Sequence, residues 1–129
     1  MSLLNKLKIT IALRWLLIVF YFTAGVNHFI NPQFYLPLIP PYFPEPELIN
    51  WVSGVAEILL AIGVGIPKYR KKAILSIILM LVAFIPAHVY FIQAGACLGE
   101  QSLCTPMWVA WVRLFPVHPL LILWAWHVR

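Results

Sequence analysis

The chain has 129 residues, of which 63% are hydrophobic and only 10% are charged. Soluble domains are about half apolar and about a quarter charged, so the composition excludes that class and indicates a membrane protein. The net charge of +5 does not indicate nucleic-acid binding, because the basic residues lie at the ends of apolar segments and form no basic stripe.

Four apolar segments approach the roughly 20 residues that a helix needs to cross a bilayer. They predict an all-α fold, an integral membrane bundle of four transmembrane helices within one domain, residues 1–129. A cleaved signal peptide is the rival interpretation of the first segment, but that segment is long for one and lacks a clear cleavage site. The predicted spans are 9–30, 49–66, 73–94 and 106–126.

The charges predict the orientation of these spans. The loops 31–48 and 95–105 contain no Lys or Arg, whereas the opposite side of the membrane carries a cluster of them. By the positive-inside rule, the N- and C-termini are therefore both predicted to be cytoplasmic. The basic residues on that side are Lys6, Lys8, Lys68, Arg70, Lys71, Lys72 and Arg129.

Polar side chains occur in all four spans, in the half of the membrane away from the cytoplasm. At about 1.5 Å of rise per helical residue, Glu57 and Arg113 lie at nearly the same depth, His88 is close to it, and Asn27 and His28 are shallower. A charge at the bilayer centre costs about 2.5–3.5 kcal/mol, so we expect Glu57 and Arg113 to pair. The pair is either a structural contact or the catalytic floor of a ligand site, to which the other three residues also contribute.

Two further hypotheses concern the histidines and the first outer loop. His28, His88 and Glu57 have the composition of a two-histidine, one-carboxylate metal site, but their spacing fits no ligand motif, and no metal is expected. The loop 31–47 holds six of the eleven prolines and several aromatic residues. Its Tyr35 and Tyr42 are candidate ligand-binding residues if the loop is a lid, and interfacial anchors if it is an aromatic belt.

The second outer loop contains Cys97 and Cys104, separated by six residues. Both face the oxidising side in the predicted topology, which favours a structural disulfide. A redox-active pair and two unpaired thiols are the alternatives, and the spacing is not that of a C-x-x-C motif.

Several short motifs in order resemble the DoxX family of small membrane proteins: GVNHF (25–29), YLPLIPPYFP (35–44), SGVAE (53–57), PAHVY (86–90), and, between and after them, GIP (65–67) and W-V-R-L (111–114). The resemblance covers roughly residues 14 to 126. It implies a four-helix bundle in the bacterial cytoplasmic (inner) membrane and a subunit that assists quinone-linked redox chemistry. A quinone is then the expected cofactor, and a redox partner subunit and the lipid bilayer are the expected partners.

The residues themselves leave a second function open. The sequence contains no haem or nucleotide motif, so a non-enzymatic scaffold or a binder of a hydrophobic small molecule, alone or as a homo-oligomer, competes with the redox subunit. In that interpretation Glu57 and Arg113 form a structural pair. A transporter is disfavoured, because no inverted repeat or pair of discontinuous helices is visible.

Overall fold

The computed structural model describes residues 1–98 and 103–129, and its architecture is all-α apart from one short hairpin. Within the described part of the chain, four helices are long and apolar enough to cross a membrane. Each corresponds to one predicted span, which confirms the prediction of four candidate membrane-spanning helices. Their bounds are Leu3–Ile30, Pro46–Gly65, Arg70–Gln93 and Met107–His127.

Helix capping explains where the first two spans begin. The Ser2 side chain accepts a hydrogen bond from the Asn5 backbone N–H, which satisfies a free donor at the start of the first helix. Pro46 stands in the first turn of the second helix, where its missing N–H costs nothing, and Glu47 complements the positive end of the helix dipole.

The third and fourth spans are each interrupted at a proline. Pro86 has no N–H and clashes with the turn before it, and the third span divides there into two helices. In the fourth span, Phe115 precedes Pro116 and has an extended backbone, with φ −150° and ψ 121°. A residue before proline is disfavoured in the helical region, so the helix is broken at this point.

In addition to the parts of the four spans, the described residues form two short helical pieces and a two-stranded antiparallel hairpin. The α-helices are α1 (Leu3–Ile30), α2 (Pro32–Tyr35), α3 (Pro46–Gly65), α4 (Arg70–Ala83), α5 (Ile85–Gln93), α6 (Met107–Val112) and α7 (His118–His127). A 3-10 helix covers Leu36–Leu38, and a π-helical segment covers Arg113–Val117. The strands are β1 (Cys97–Leu98) and β2 (Leu103–Cys104).

The main apolar core lies at the end of the bundle that holds both termini. The Arg14 side chain donates to the Val128 carbonyl at 3.2 Å, and the Trp124 indole donates to the Leu13 carbonyl at 3.1 Å. These hydrogen bonds hold the first half of α1 against the end of α7. The core there is made of Leu17, Tyr21, Ala61, Val64, Ala73, Ile74, Ile77, Leu81, Ala125 and Val128.

Candidate functional site

A cavity of about 530 Å³ lies at the opposite end of the bundle. Its walls come from the end of α1, the loop after it, the first half of α3, the junction of α4 and α5, and Arg113. Most of the lining is apolar, and a few polar groups converge on it, which is the usual character of a small-molecule site. The polar or ionisable lining residues are His28, Tyr35, Asn50, Ser53, Glu57, His88 and Arg113.

The close approach of α1 and α3 builds one wall of this cavity. Gly25 and Gly54 face each other at the crossing, and a Cβ added to Gly25 would lie 2.7 Å from the Gly54 carbonyl oxygen. Small residues of this kind allow helix backbones to meet inside a membrane. The crossing brings His28, one turn after Gly25, against α3 and close to Glu57.

His28 is buried and is held by two hydrogen bonds to Asn50. Its Nδ1 lies 2.7 Å from the Asn50 Oδ1, while the Asn50 Nδ2 donates to the His28 carbonyl at 3.0 Å. The second hydrogen bond fixes which way the Asn50 amide points, so an oxygen faces the imidazole. Nδ1 must therefore carry a hydrogen, and Nε2 is the ring atom left to face the cavity side.

Glu57 is the partner of that second ring nitrogen. The Glu57 Oε2 lies 3.6 Å from the His28 Nε2, and both side chains are about 95% buried. Oε2 has no hydrogen-bond partner within the described residues. Within the described part of the chain, the His28 imidazole is therefore the only basic side chain within 4.0 Å of this carboxyl group.

Arg113 does not form the predicted ion pair with Glu57. Among the described residues, the contact between His28 and Glu57 is the only one within 4.0 Å between a carboxylate and a basic side chain. The Arg113 guanidinium instead lies over the Phe91 ring, 5.0 Å from its centroid. Equal depth along two helices does not fix the direction of a side chain. Arg113 also begins the irregular segment before Pro116, where an ideal helix is a poor guide.

Tyr35 lies in the cavity wall, as predicted for a ligand-binding residue, but Tyr42 does not. The Tyr35 ring stacks on His28 with centroids 3.7 Å apart, and its hydroxyl accepts from the Asn27 amide at 2.9 Å. Asn27 is therefore hydrogen-bonded to a lining residue but does not itself line this cavity. Tyr42 is 69% exposed and packs against Phe43, because the proline-rich loop turns it away from the bundle.

The Tyr35 hydroxyl lies outside the membrane-spanning helices. Burial raises its pKa above the ordinary 10.0, the negative field of Glu57 raises it further, and the hydrogen bond from Asn27 acts in the opposite direction. The phenol is therefore a neutral hydrogen-bonding group at physiological pH.

His88 and His118 are in contact but have different surroundings. His88 lines the cavity and meets the His118 ring edge-on, 4.7 Å between centroids. His118 is buried and hydrogen-bonded through Nε2 to the Leu81 carbonyl, so it ties α7 to α4. Within residues 1–98 and 103–129, no three His, Cys, Asp or Glu side chains are grouped as metal ligands.

Asn50 is the site residue that the sequence prediction missed. It lies on the same face of α3 as Gly54, Glu57 and Ala61, at spacings of four, three and four. A polar amide on the buried face of an apolar helix is the signal that could have identified it.

Cys97 and Cys104 form a disulfide and are directly opposite each other in the hairpin. Neither cysteine lines the cavity. The intervening residues 99–102 of the CLGEQSLC loop lie outside the described part of the chain.

A family model described as "Domain of unknown function (DUF8561)" matches residues 17–129. The predicted membership of the DoxX family is therefore wrong. Several of the motifs behind it are small and polar residues on apolar helices, which helix packing selects in many membrane bundles. No curated protein and no solved structure matches the chain. The resemblance therefore no longer supports the predictions of a bacterial membrane, a quinone cofactor and a redox partner subunit.

Proposed function

The chain belongs to the family described as Domain of unknown function (DUF8561), and we propose that it is a multi-pass membrane protein that binds a small amphipathic molecule in the cavity beside His28, Glu57 and Arg113. The observation that carries the proposal is the convergence of ionisable side chains, His28, Glu57, His88 and Arg113, on a mostly apolar cavity. A purely structural cluster would satisfy its own polar atoms. Here the Glu57 Oε2 has no hydrogen-bond partner and Arg113 has no carboxylate within 4.0 Å in the described part of the chain.

The proposal includes an orientation. We place both termini and the cluster Lys68–Lys72 in the cytoplasm, because the positive-inside rule favours it. The cavity then opens in the half of the membrane away from the cytoplasm. Reporter enzymes fused to the C-terminus test this: a cytoplasmic reporter should be active and a reporter that requires export should be inactive. The reverse result would invert the orientation.

Native mass spectrometry of the protein extracted in mild detergent tests the binding. The wild type should carry an additional mass of a small molecule. Ala83→Trp places a large ring in the cavity wall and should remove that mass, whereas Ala12→Trp, at an exposed position on α1, should retain it. An identical mass in both variants, or none in the wild type, would contradict the proposal.

The second candidate function is a subunit of a quinone-linked oxidoreductase, and the buried contact between His28 and Glu57 in the cavity wall is the observation that favours it. Reduction of a quinone to a quinol takes two electrons and two protons. A partner redox subunit would supply the two electrons, the His28–Glu57 pair would deliver one proton to a quinone oxygen at the cavity, and solvent would supply the second proton.

Glu57→Gln separates this candidate from simple binding. It removes the titratable oxygen while keeping the shape, so quinone reductase activity in membranes should fall much more than the yield of folded protein. Glu47→Gln is the matched control, since Glu47 is exposed in the first turn of the same helix. Equal losses of activity and yield in Glu57→Gln would leave only a structural role for the carboxyl group.

A further inference from the structure

We infer that the cavity takes an amphipathic acid, a molecule whose single carboxylate binds Arg113 while its apolar body fills the rest of the cavity. The inference deepens the proposed function and rests on it. It follows from the charges in the cavity wall, the environment of the Arg113 guanidinium and the size of the space.

The ionisable groups of the cavity wall include the contact between His28 and Glu57. The Glu57 Oε2 lies 3.6 Å from the His28 Nε2, and no basic side chain other than His28 lies within 4.0 Å of a carboxylate among the described residues. Glu57 is therefore not paired with Arg113. Among the described residues of the cavity wall, Arg113 is the side chain that is charged at every physiological pH.

The Arg113 guanidinium is half-buried and has an aromatic ring on one face. Contact with Phe91 at 5.0 Å stabilises the cation through the ring face, and no carboxylate in the described part of the chain lies within 4.0 Å of its N–H groups. A guanidinium presents five N–H donors in a plane that matches the two oxygens of a carboxylate. An anion bound edge-on would satisfy these donors and neutralise the charge within the low-dielectric bundle.

The size and lining of the cavity select the kind of anion. A carboxylate has one negative charge, which one guanidinium neutralises, whereas a phosphate monoester carries nearly two. The apolar lining, including Phe84 and Leu38, accommodates a hydrocarbon body and offers little to a soluble metabolite. About 530 Å³ is a typical volume for a single small ligand and leaves no room for a lipid with two chains.

The test uses photoactivatable probes on protein in mild detergent: a long-chain fatty acid with a diazirine in its chain, and the alcohol with the same chain. The two have the same chain and differ in the head group: the carboxylate is negatively charged with two acceptor oxygens, and the alcohol is neutral with one hydroxyl. In the wild type, the acid should label peptides of the cavity wall about tenfold more than the alcohol, the factor that one charge-assisted hydrogen bond contributes.

Three variants complete the design. Arg113→Gln should abolish the preference for the acid, Arg113→Lys should retain part of it because the charge remains, and Arg129→Gln should leave it unchanged because Arg129 lies at the far end of the bundle, over Trp126. Competition of the unlabelled acid and alcohol for the wild type gives a second readout that needs no variant.

The outcomes are distinct. Equal labelling of the cavity by acid and alcohol would overturn the carboxylate inference and leave the proposed binding function intact. Displacement of the acid probe by a phosphate monoester as effectively as by the unlabelled acid would overturn the choice of carboxylate. Labelling by neither probe at the cavity peptides would contradict the inference and the proposed function together.

Discussion

Replacement of Gly54 by alanine should destabilise the bundle and displace the candidate site, because Gly54 lies where α3 touches α1. An added Cβ would lie 2.7 Å from the His28 Cβ, 2.9 Å from the Phe29 Cε2 and 3.0 Å from the Gly25 carbonyl oxygen. Two of these neighbours belong to the backbone or to the base of a side chain, so neither can rotate away. The helices must move apart by several tenths of an ångström.

The magnitude comes from two opposing effects. Overpacking of this kind costs about 1–3 kcal/mol, whereas replacing glycine by alanine within a helix contributes about 1 kcal/mol in the other direction. Gly65→Ala is the matched control on the same helix, because its Cβ would meet the Ile18 Cδ1 at 3.8 Å, an ordinary contact. Gly54→Ala should therefore be less stable than Gly65→Ala by about 1–3 kcal/mol.

Equilibrium unfolding in mixed micelles of mild detergent and dodecyl sulfate measures this difference. The displacement of His28 adds a second readout, since Gly54→Ala should also lose the bound mass in native spectra while Gly65→Ala retains it. Equal stability and equal ligand retention in the two variants would refute the reasoning, because α1 and α3 could not then be in contact at Gly54.

Three further predictions concern groups around the site. Asn50→Ala leaves the buried Nδ1 of His28 without an acceptor and should lower the free energy of unfolding by about 1–3 kcal/mol; an unchanged value would mean that water replaces the amide. Tyr35 should ionise only above pH 10.0, because burial raises its pKa. The stability that its neutral phenol contributes is therefore complete below pH 10.0 and declines above it. The difference in ultraviolet absorbance between wild type and Tyr35→Phe measures the ionisation, and titration at or below pH 10.0 would contradict the prediction. Maleimide should label neither Cys97 nor Cys104 before treatment with a reductant and both after it, and labelling of the untreated protein would indicate free thiols.

The four spans could be predicted because each depends on composition alone. A run of about 20 apolar residues must form a helix in lipid, since every backbone polar group has to be satisfied within the segment. The buried position of Glu57 also follows from local spacing, because Gly54 and Ala61 mark the same face of α3. These properties require no knowledge of how the helices are arranged around one another.

The partner of Glu57 could not be predicted in the same way. Depth along a helix matched Glu57 with Arg113 and placed His28 shallower, whereas the observed contact with His28 depends on the rotation of each helix and on the Gly25–Gly54 crossing. The helix is also broken at Phe115, shortly after Arg113, so a depth calculated from the rise of an ideal helix is inaccurate there.

The loop residues show the same limit. Tyr35 and Tyr42 have the same chemistry and lie in the same proline-rich segment, yet one stacks on His28 and the other is exposed. Pro37, Pro40 and Pro41 fix the path of the chain between them, and that path depends on contacts with α5 that are distant in sequence. A short motif therefore could not distinguish a lining residue from an interfacial one.

The most direct measurement of the central claim is a crystal structure of the protein purified in mild detergent with no ligand added. Density for an elongated molecule in the cavity, with a head group within hydrogen-bonding distance of Arg113 and its body between Tyr35 and Phe84, is the predicted result. A cavity closed by its own side chains, with Arg113 paired to a carboxylate of the protein, would contradict the account.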